Sequence, residues 1–383
     1  MRTFKNKIKK ELYDHIIPFW TKQKDHVNGG FIGYTDSQGN QDIYANKGSM
    51  LQIRATWFFS RLYNFDHNPA YKEIAKHQFD YLLNHAVDDK GIVWETNYQG
   101  IVTDDTKHLY YQAFGLYAAV EYYLSFKDEQ AAILSHKLFN YIEDEFKDEY
   151  GYKEQLDGKK NRLVEGAIKA ERTMNALLHL MEAYASYVQV FKTDKGIEAL
   201  KRLLDLFEDK IYNKEKKRLD VLFTNDMISV SDYHSYGHDI EASWLLDLAA
   251  NALEDTDYIN RMAIITSQLC RSVYEKGLSK RGIKTEMVNG IEDDSYTWWV
   301  QAEGVVAFYK KGMKTHNRRY KRVAGHLLDF IRKNHRNPNT FEVYWKVFEN
   351  LTPDLLLPAS SNWKCPYHNG RMCLEVLEAK ENE

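Results

Sequence analysis

Short segments in which apolar and polar residues alternate recur six times along the chain, each bounded by Gly, Asn or Asp. They start at Gly29, Gly91, Gly151, Arg218, Arg281 and Thr340. A period of two residues is typical of a strand with one buried face, and the flanking residues are typical of turns. The pattern therefore predicts a hairpin or short strand in every repeat of about sixty residues.

Between these segments the apolar residues follow a helical period, and the helical segments come in pairs. Two such pairs are residues 46–64 with 70–86 and residues 237–253 with 258–274. A first helix near residues 4–17, which Pro18 is expected to end, and a last one near residues 366–377 bring the number to about twelve. Six helix pairs, each with a hairpin at one end, predict an all-α (α/α)6 barrel with its hairpins on one face.

An open α-solenoid is the alternative architecture. A solenoid needs polar capping repeats, whereas both ends of this chain are as rich in aromatic residues as its middle. The pattern therefore favours a closed ring with a funnel of inner helices beneath the hairpins, which is where binding sites usually lie. Because no linker rich in Pro, Gly or Ser divides the chain, we expect residues 1–383 to form a single catalytic domain.

The composition limits the classes of binding partner that are expected for this protein. The net charge is −3 and no block of five or six like charges occurs, so neither nucleic acid nor an acidic membrane surface is expected. Aromatic residues make up 14% of the chain, which suits both a large core and a sugar site. No apolar run has the length of a signal peptide or of a membrane span, so we expect a cytoplasmic protein. The three cysteines, Cys270, Cys365 and Cys373, are expected to be free thiols.

Two histidines near predicted helix starts are candidates for proton transfer. His238 and Glu241 are three residues apart, which places a carboxylate near an imidazole on one helix face. The same segment is also typical of a helix N-terminus, where Glu241 would only meet the dipole. His368 follows Pro366 in a first turn, where the dipole favours the neutral base, although such a histidine is often a surface or cap residue.

His179 shares a helical stripe with Asn175 and Glu182, and a lone histidine on an apolar stripe is usually a core residue. The chain lacks the HExxH zinc motif, the GxSxG nucleophile motif and Gly-rich phosphate loops, so no metal is expected. What remains is acid/base chemistry that needs no cofactor. A glycosidase with two carboxylates from Asp104, Asp105 and Glu303 is the rival on this architecture.

Four segments together resemble the N-acylglucosamine 2-epimerase superfamily, and within it the cellobiose 2-epimerases. They are TKHLYYQAFGLYAAVEYY from Thr106, SYGHDIEASWLLDLA from Ser235, WWVQAEGVVAF from Trp298 and WKCPYHNGRMCLE from Trp363. The resemblance covers nearly the whole chain. It implies an isomerase that inverts C2 at the reducing end of a β-1,4-linked disaccharide through a cis-enediolate, without cofactor or metal, as a monomer acting on a small sugar.

The resemblance also implies roles for individual residues. It places the proton-transferring pair on His238 and His368, with His368 as the base toward the gluco sugar and His238 as the base toward the manno sugar, and a third functional histidine on His179. The implied substrate-binding residues are Arg54, Tyr110, Asn175, Glu241, Trp244, Trp299, Glu303 and Trp363. Arg54 would lie near the sugar carbonyl, and Trp363 would lie under the second sugar.

Three segments depart from the usual pattern of cellobiose 2-epimerases: NALLH at residues 175–179, QIR at residues 52–54, and the stretch at residues 342–355. They leave the histidine pair intact but can reshape the pocket. Epimerisation of mannose or mannobiose therefore stays open, as does aldose-ketose isomerisation, which uses the same enediolate. A non-catalytic sugar-binding protein is the more remote alternative.

Overall fold

The structure is a computed structural model that describes residues 2–156 and 170–379. The last two residues of the third alternating segment, 157 and 158, lie outside this part of the chain. The first helix, α1, comprises Arg2–Lys10, a π-helical turn at Glu11–Ile16, and Ile17–Thr21. The prediction that Pro18 ends this helix is wrong. The N–H of Ile17 bonds back to the carbonyl of Leu12, and in this wide turn the absent N–H of Pro18 does not break the helix.

Eleven further helices follow within the described residues. They are α2 (Ser49–Asp66), α3 (Pro69–Tyr81), α4 (Leu109–Phe126), α5 (Glu129–Tyr141), α6 (Met174–Phe191), α7 (Asp194–Leu206), α8 (Tyr236–Ala252), α9 (Thr256–Ser272), α10 (Trp298–Lys314), α11 (Arg318–Phe330) and α12 (Tyr367–Glu378). The outer helices α3, α5, α7, α9 and α11 each continue into a π-helical turn: Leu82–Ala86, Ile142–Phe146, Phe207–Ile211, Val273–Gly277 and Ile331–His335.

The even-numbered helices form the inner ring. Each packs against the next, and α12 returns to pack against α2, so the ring is closed. The odd-numbered helices lie outside, each against its inner partner, with α1 against α12. This confirms the predicted (α/α)6 barrel. No helix in the described part of the chain is long and apolar enough to cross a membrane.

Short antiparallel strands connect the helices. They are β1 (Tyr34–Thr35), β2 (Gln41–Asp42), β3 (Lys47–Gly48), β4 (Glu95–Thr96), β5 (Val102–Asp104), β6 (Lys147–Asp148), β7 (Gly151–Tyr152), β8 (Arg172–Thr173), β9 (Tyr212–Asn213), β10 (Arg218–Leu219), β11 (Leu222–Phe223), β12 (Tyr233–Ser235), β13 (Glu286–Val288), β14 (Ile291–Glu292), β15 (Ser295–Thr297) and β16 (Lys346–Phe348). They pair as β1-β2, β3-β4-β5, β6-β7, β8-β11, β9-β10, β12-β13-β14 and β15-β16.

A hairpin follows every outer helix, as the alternating segments predict. The first paired residues of the six hairpins are Lys24 with Phe31, Val87 with Ile92, Lys147 with Tyr152, Tyr212 with Leu219, Leu278 with Ile283, and Arg336 with Val343. Each hairpin leads into the N-terminus of the next inner helix. The first turns of all inner helices therefore lie at the hairpin face.

Buried polar side chains attach the hairpins to the inner helices. The fourth residue of α2, α4 and α10 is a glutamine whose amide pairs with both the N–H and the C=O of one hairpin residue. The three pairs are Gln52 with Phe31, Gln112 with Ile92, and Gln301 with Ile283. In α8 the fourth residue is Asp239, which accepts from the N–H of Leu219. These bonds satisfy backbone groups that the hairpins bury.

Candidate active site

The barrel axis is lined by equivalent positions of the inner helices. The sixth residue of five of these helices is, in order, Arg54, Phe114, His179, Glu241 and Glu303. These five neighbouring helices thus bring a guanidinium, an aromatic ring, an imidazole and two carboxylates into one layer. All five side chains are buried. Because charged groups are rarely buried without partners, this layer marks the chemically specialised part of the barrel.

His238 lies in the first turn of α8, one layer nearer the hairpins. Its Nδ1 lies 2.7 Å from Oγ of Ser235, the residue that caps the helix. The expected pairing of His238 with Glu241 is wrong, since the Glu241 carboxylate turns toward Arg371 on α12. Burial and the neighbouring His179 lower the pKa of His238 to about 3.

His368 lies in the first turn of α12, where Nδ1 is 2.7 Å from Oε1 of Glu303. A carboxylate accepts, so Nδ1 carries the hydrogen and Nε2 of the neutral ring keeps its lone pair. Burial and the charges of Arg54 and Arg371 lower the pKa of His368, which favours that neutral ring.

The Trp299 indole joins the two histidines. Its ring centroid lies 4.9 Å from that of His238 and 5.4 Å from that of His368. Two imidazoles from different helices therefore contact one indole ring, and the Trp299 side chain is half-buried.

His179 has a carboxylate beside each ring nitrogen. Nδ1 lies 2.9 Å from Oε2 of Glu182, and Nε2 lies 3.9 Å from Oε2 of Glu241. Burial lowers the pKa of His179, while Glu182 opposes the change. His179 is thus buried and hydrogen-bonded to Glu182 on its own stripe, as a satisfied core histidine would be.

Arg371 is the centre of the cluster and is fully buried. It donates to Glu182, Glu241 and Glu303, which come from three different helices, and Tyr367 also donates to Glu182 at 2.6 Å. Sequence reasoning missed Arg371. Its position three residues after His368 in GRMCLE was the available sign, because residues i and i+3 share a helix face.

Arg54 is held by aromatic rings. It donates to the Tyr110 hydroxyl at 2.7 Å, lies 3.7 Å from Sγ of Cys365, and its guanidinium carbon is 4.1 Å from the centre of the Phe114 ring. Burial raises the pKa of Tyr110 to about 12, so its hydroxyl keeps its hydrogen. All three cysteines are buried free thiols, as expected.

The other predicted site residues lie at different depths in the barrel. The Trp363 ring lies 6.1 Å from Tyr110 at the hairpin face, and Oδ1 of Asn175 is buried without a hydrogen-bond partner among the described residues. Trp244 lies deeper, where its Nε1 donates to Glu303 at 3.1 Å and its ring meets Arg371. The ring also lies under Lys310, whose Nζ is 4.5 Å from the ring centre.

The carboxylates proposed for a glycosidase are not arranged as a pair. Asp104 ends strand β5 and Asp105 is exposed on the hairpin that follows α3, while Glu303 is engaged by Arg371, His368 and Trp244. Histidines, not the Asp pair, occupy the first turns beside the axis.

Glu241, Glu303 and His368 offer ligand atoms within 4.8 Å of one another, which is a spacing that a metal ion could use. Arg371 already donates to both carboxylates. A cation there would have to compete with a fully buried guanidinium, so we assign no metal to these three residues.

Comparison with known proteins agrees with this geometry. The family model for N-acylglucosamine 2-epimerase (GlcNAc 2-epimerase) matches residues 30–366. A cellobiose 2-epimerase from Dictyoglomus turgidum is 36% identical over 99% of both chains, and one from Ruminococcus albus is 35% identical over 97% of this chain and 98% of its own. The solved structure of cellobiose 2-epimerase from Bacillus thermoamylovorans superimposes with a TM-score of 0.95 at 34% identity, covering 99% of this chain and 100% of that one.

Proposed function

Because the chain belongs to the N-acylglucosamine 2-epimerase family and is a carbohydrate epimerase, we propose that it inverts C2 of the reducing-end sugar of a β-1,4-linked disaccharide, converting cellobiose to glucosylmannose. The relatives named cellobiose 2-epimerase support this substrate. The observation that carries the reaction type is the placement of His238 and His368 on either neighbouring helix around Trp299. Epimerisation at C2 requires that a proton leave one face of the carbon and return to the other, and two histidines can supply the base and the acid.

His368 is the base toward the gluco sugar. After the sugar ring opens, Nε2 removes the proton from C2, the electron pair moves into the C1–C2 bond, and O1 becomes the oxyanion of a cis-enediolate. Glu303 beside Nδ1 stabilises the imidazolium that results.

His238 returns the proton. Rotation about the C2–C3 bond presents the other face of C2, and protonated His238 delivers its proton there while the C1 carbonyl re-forms. Because burial lowers the pKa of His238, its imidazolium holds the proton weakly; the ring takes this proton from solvent before the step and passes it to carbon. In the reverse direction His238 is the base and His368 is the acid, and proton exchange with water restores the starting state.

Arg54 stabilises the oxyanion. Its guanidinium is buried, positively charged and fixed by Tyr110, so it needs little rearrangement when negative charge develops on O1. Trp363, at the hairpin face, stacks under the second sugar. The reaction moves only protons, so no cofactor takes part in the proposed scheme, and the monomeric state and cytoplasmic location stay predictions.

Proton NMR in deuterated water tests the proposal. Chelator-treated protein is incubated separately with cellobiose, mannobiose, glucose and mannose, and the C2 proton of the reducing-end sugar is followed. We expect deuterium at C2 together with growth of the C2 epimer, fastest for cellobiose. Faster turnover of mannose or mannobiose would identify that sugar, instead of cellobiose, as the substrate. A ketose product would indicate isomerisation. Cleavage or absence of exchange would overturn the proton-transfer scheme.

A further inference from the structure

Carboxylates outnumber cations in the cluster beneath the histidines. Glu182, Glu241 and Glu303 all contact one guanidinium, that of Arg371, and the four side chains are at most 1% exposed. An ion pair leaves a net charge of zero, whereas three ionised carboxylates against Arg371 and the neighbouring Arg54 leave one uncompensated negative charge. Such charges are expensive in a buried site, so the cluster is expected to retain a proton.

Two of the three carboxylates are fully supplied with donors. Glu182 accepts from Arg371, from the Tyr367 hydroxyl and from Nδ1 of His179. Each of its oxygens thus has a donor, and although burial alone would raise the pKa of Glu182, Arg371 and His179 lower it to about 2.

Glu303 is supplied equally well. Its Oε1 accepts from Arg371 at 2.7 Å and from Nδ1 of His368 at 2.7 Å, and its Oε2 accepts from Nε1 of Trp244 at 3.1 Å. Three donors on two oxygens are the arrangement that an ionised carboxylate requires.

Glu241 differs from both. Its Oε1 accepts from the same Arg371 nitrogen as Glu303, which has one N–H for each carboxylate, so Glu241 receives a single donor. Its Oε2 is buried and has no hydrogen-bond partner in the described part of the chain, and the nearest ring nitrogen is Nε2 of His179, at 3.9 Å. With Nδ1 of His179 donating to Glu182, Nε2 of the neutral ring is an acceptor.

We propose that Glu241 is a neutral carboxylic acid in the resting protein, with its hydrogen on Oε2 directed at Nε2 of His179. The proton removes one excess charge and turns an unpaired acceptor into a donor that faces an acceptor. At 3.9 Å this contact is longer than a hydrogen bond, so His179 keeps one hydrogen bond within the cluster, from Nδ1 to Glu182, and it acts as a positioning residue.

The other groups around Glu241 agree with this assignment. The titratable and charged side chains around it are His179 and Glu182 on α6, Glu303 on α10, Tyr367, His368 and Arg371 on α12, Tyr110 on α4, and Arg54 on α2, which donates to Tyr110. Burial, followed by the charge of Glu303, raises the pKa of Glu241, and Arg371 opposes the rise. Burial lowers the pKa of His179, which keeps that ring neutral.

The proton on Glu241 sets the basicity of His368, a consequence that rests on the proposed function. Oε1 of Glu241 lies 4.0 Å from Nδ1 of His368. Ionised Glu241 would add a second negative charge beside this imidazole and would draw Arg371 away from Glu303. His368 would then hold its proton too firmly to return it, so turnover is expected to fall as Glu241 ionises at high pH.

Infrared difference spectroscopy of the intact protein tests the assignment without any substrate. We expect the carbonyl stretch of a protonated carboxylic acid at pH 7 in the wild type, with a shift in deuterated water. The band is lost in E241Q, whose amide matches the neutral acid in shape, and persists in E198Q, at an exposed position of α7. It weakens in E182Q and E303Q, because each removes a negative charge that favours the proton on Glu241. A wild type without this band, or a band that survives in E241Q, overturns the proposal.

Nitrogen NMR of wild-type protein with labelled histidine covers the case in which E241Q does not fold. We expect His179, assigned by its loss in H179N, to show a hydrogen on Nδ1 and an unprotonated Nε2. Hydrogen on both nitrogens at pH 7 would mean that His179 holds the proton, and would overturn the assignment to Glu241.

The dependence of kcat on pH tests the effect on His368. We expect kcat of the wild type to fall at alkaline pH and kcat of E241Q to lack that fall. An identical fall in E241Q overturns the effect on His368.

Discussion

The two histidines beside Trp299 are held by partners of different charge. A hydroxyl, from Ser235, contacts His238, and a carboxylate, from Glu303, contacts His368. A carboxylate stabilises an imidazolium far better than a hydroxyl does. The pair is therefore built with unequal basicity, which lets one ring collect a proton as the other gives one up.

Removing either imidazole is expected to stop proton exchange without unfolding the barrel. In H238A and H368A the C2 exchange rate should fall by at least about a thousandfold, within the range for loss of a general acid or base. The fold persists because Glu303 keeps its bonds to Arg371 and Trp244. Deuterium exchange and thermal melting measure the two effects. The control is H326A, at an exposed position of α11, which should retain wild-type exchange.

Exchange at the wild-type rate in either active-site variant would contradict the proton-transfer roles. A melt that collapses along with activity would show that the imidazole is structural. The first outcome concerns chemistry and the second concerns folding, so the two measurements separate them.

Glu182 is expected to stabilise the protein only above acidic pH. Its pKa is lowered from 4.5 to about 2, so it binds fewer protons in the folded than in the unfolded state between these values. Its contribution is complete above pH 4.5 and is lost as pH falls through about 2. E182Q should lose on the order of 3 kcal/mol of unfolding free energy at pH 7, and the loss should shrink below pH 4.5.

Urea unfolding at several pH values measures this difference. E198Q, at an exposed position of α7, is the matched control and should unfold like the wild type. A loss in E182Q that is equally large at pH 3 and pH 7 would show that shape, and not charge, explains it.

At the scale of single elements, each hairpin depends on the inner helix that follows it. Gln301, the fourth residue of α10, satisfies both the N–H and the C=O of Ile283. This bidentate contact fixes the hairpin relative to the helix start. The geometry of the first turn of α10, where Trp299 lies, therefore depends on this buried amide.

Replacing Gln301 by Leu is expected to destabilise the protein by about 2 to 6 kcal/mol, because two buried backbone groups each lose a partner at about 1 to 3 kcal/mol. Chemical unfolding measures the loss. Q130L, on the exposed side of α5, is the control for replacing an amide by an apolar side chain and should change stability little. Equal stability of Q301L and wild type would contradict the clamp.

Most helices and hairpins could be predicted from the sequence because the interactions that form them are local. The segments predicted at residues 237–253 and 258–274 are the helices Tyr236–Ala252 and Thr256–Ser272, and the six hairpins lie where alternation begins. The failure at Pro18 has a local cause too, namely a π-helical turn that no pattern of apolar residues reveals. The site residues on the predicted helices could also be predicted, because the residues that the resemblance marks lie on those helices.

For the molecule as a whole, the decisive contact is the one that closes the ring. Gly370 on α12 packs against Phe58 on α2, and a Cβ at Gly370 would lie 2.2 Å from the Phe58 ring. The absence of a side chain lets the last inner helix approach the first. Closure brings Arg371 and His368 to Glu182, Glu241 and Glu303, so it assembles the site as well as the barrel.

A matched pair of glycine substitutions tests this closure. G370A is expected to lose about 1 to 3 kcal/mol through overpacking against Phe58. G325A, on α11 with nothing within 4 Å of an added Cβ, is expected to gain up to about 1 kcal/mol from helix propensity. Chemical unfolding of both variants gives the comparison, and equal effects at the two positions would contradict a special role for Gly370.

The sequence by itself determined the periodic features: the helix pairs, the hairpins, and the histidines and arginine that the resemblance marks. These depend on neighbours within a few residues, or on motifs that stay intact along the chain. Only the tertiary structure decided the partners, because Ser235 and Glu303, and not Glu241, hold the two imidazoles, and Arg371 joins three helices. Closing a ring places residues more than a hundred positions apart within hydrogen-bond distance, and the charge balance of such a cluster exists only once every member is in place.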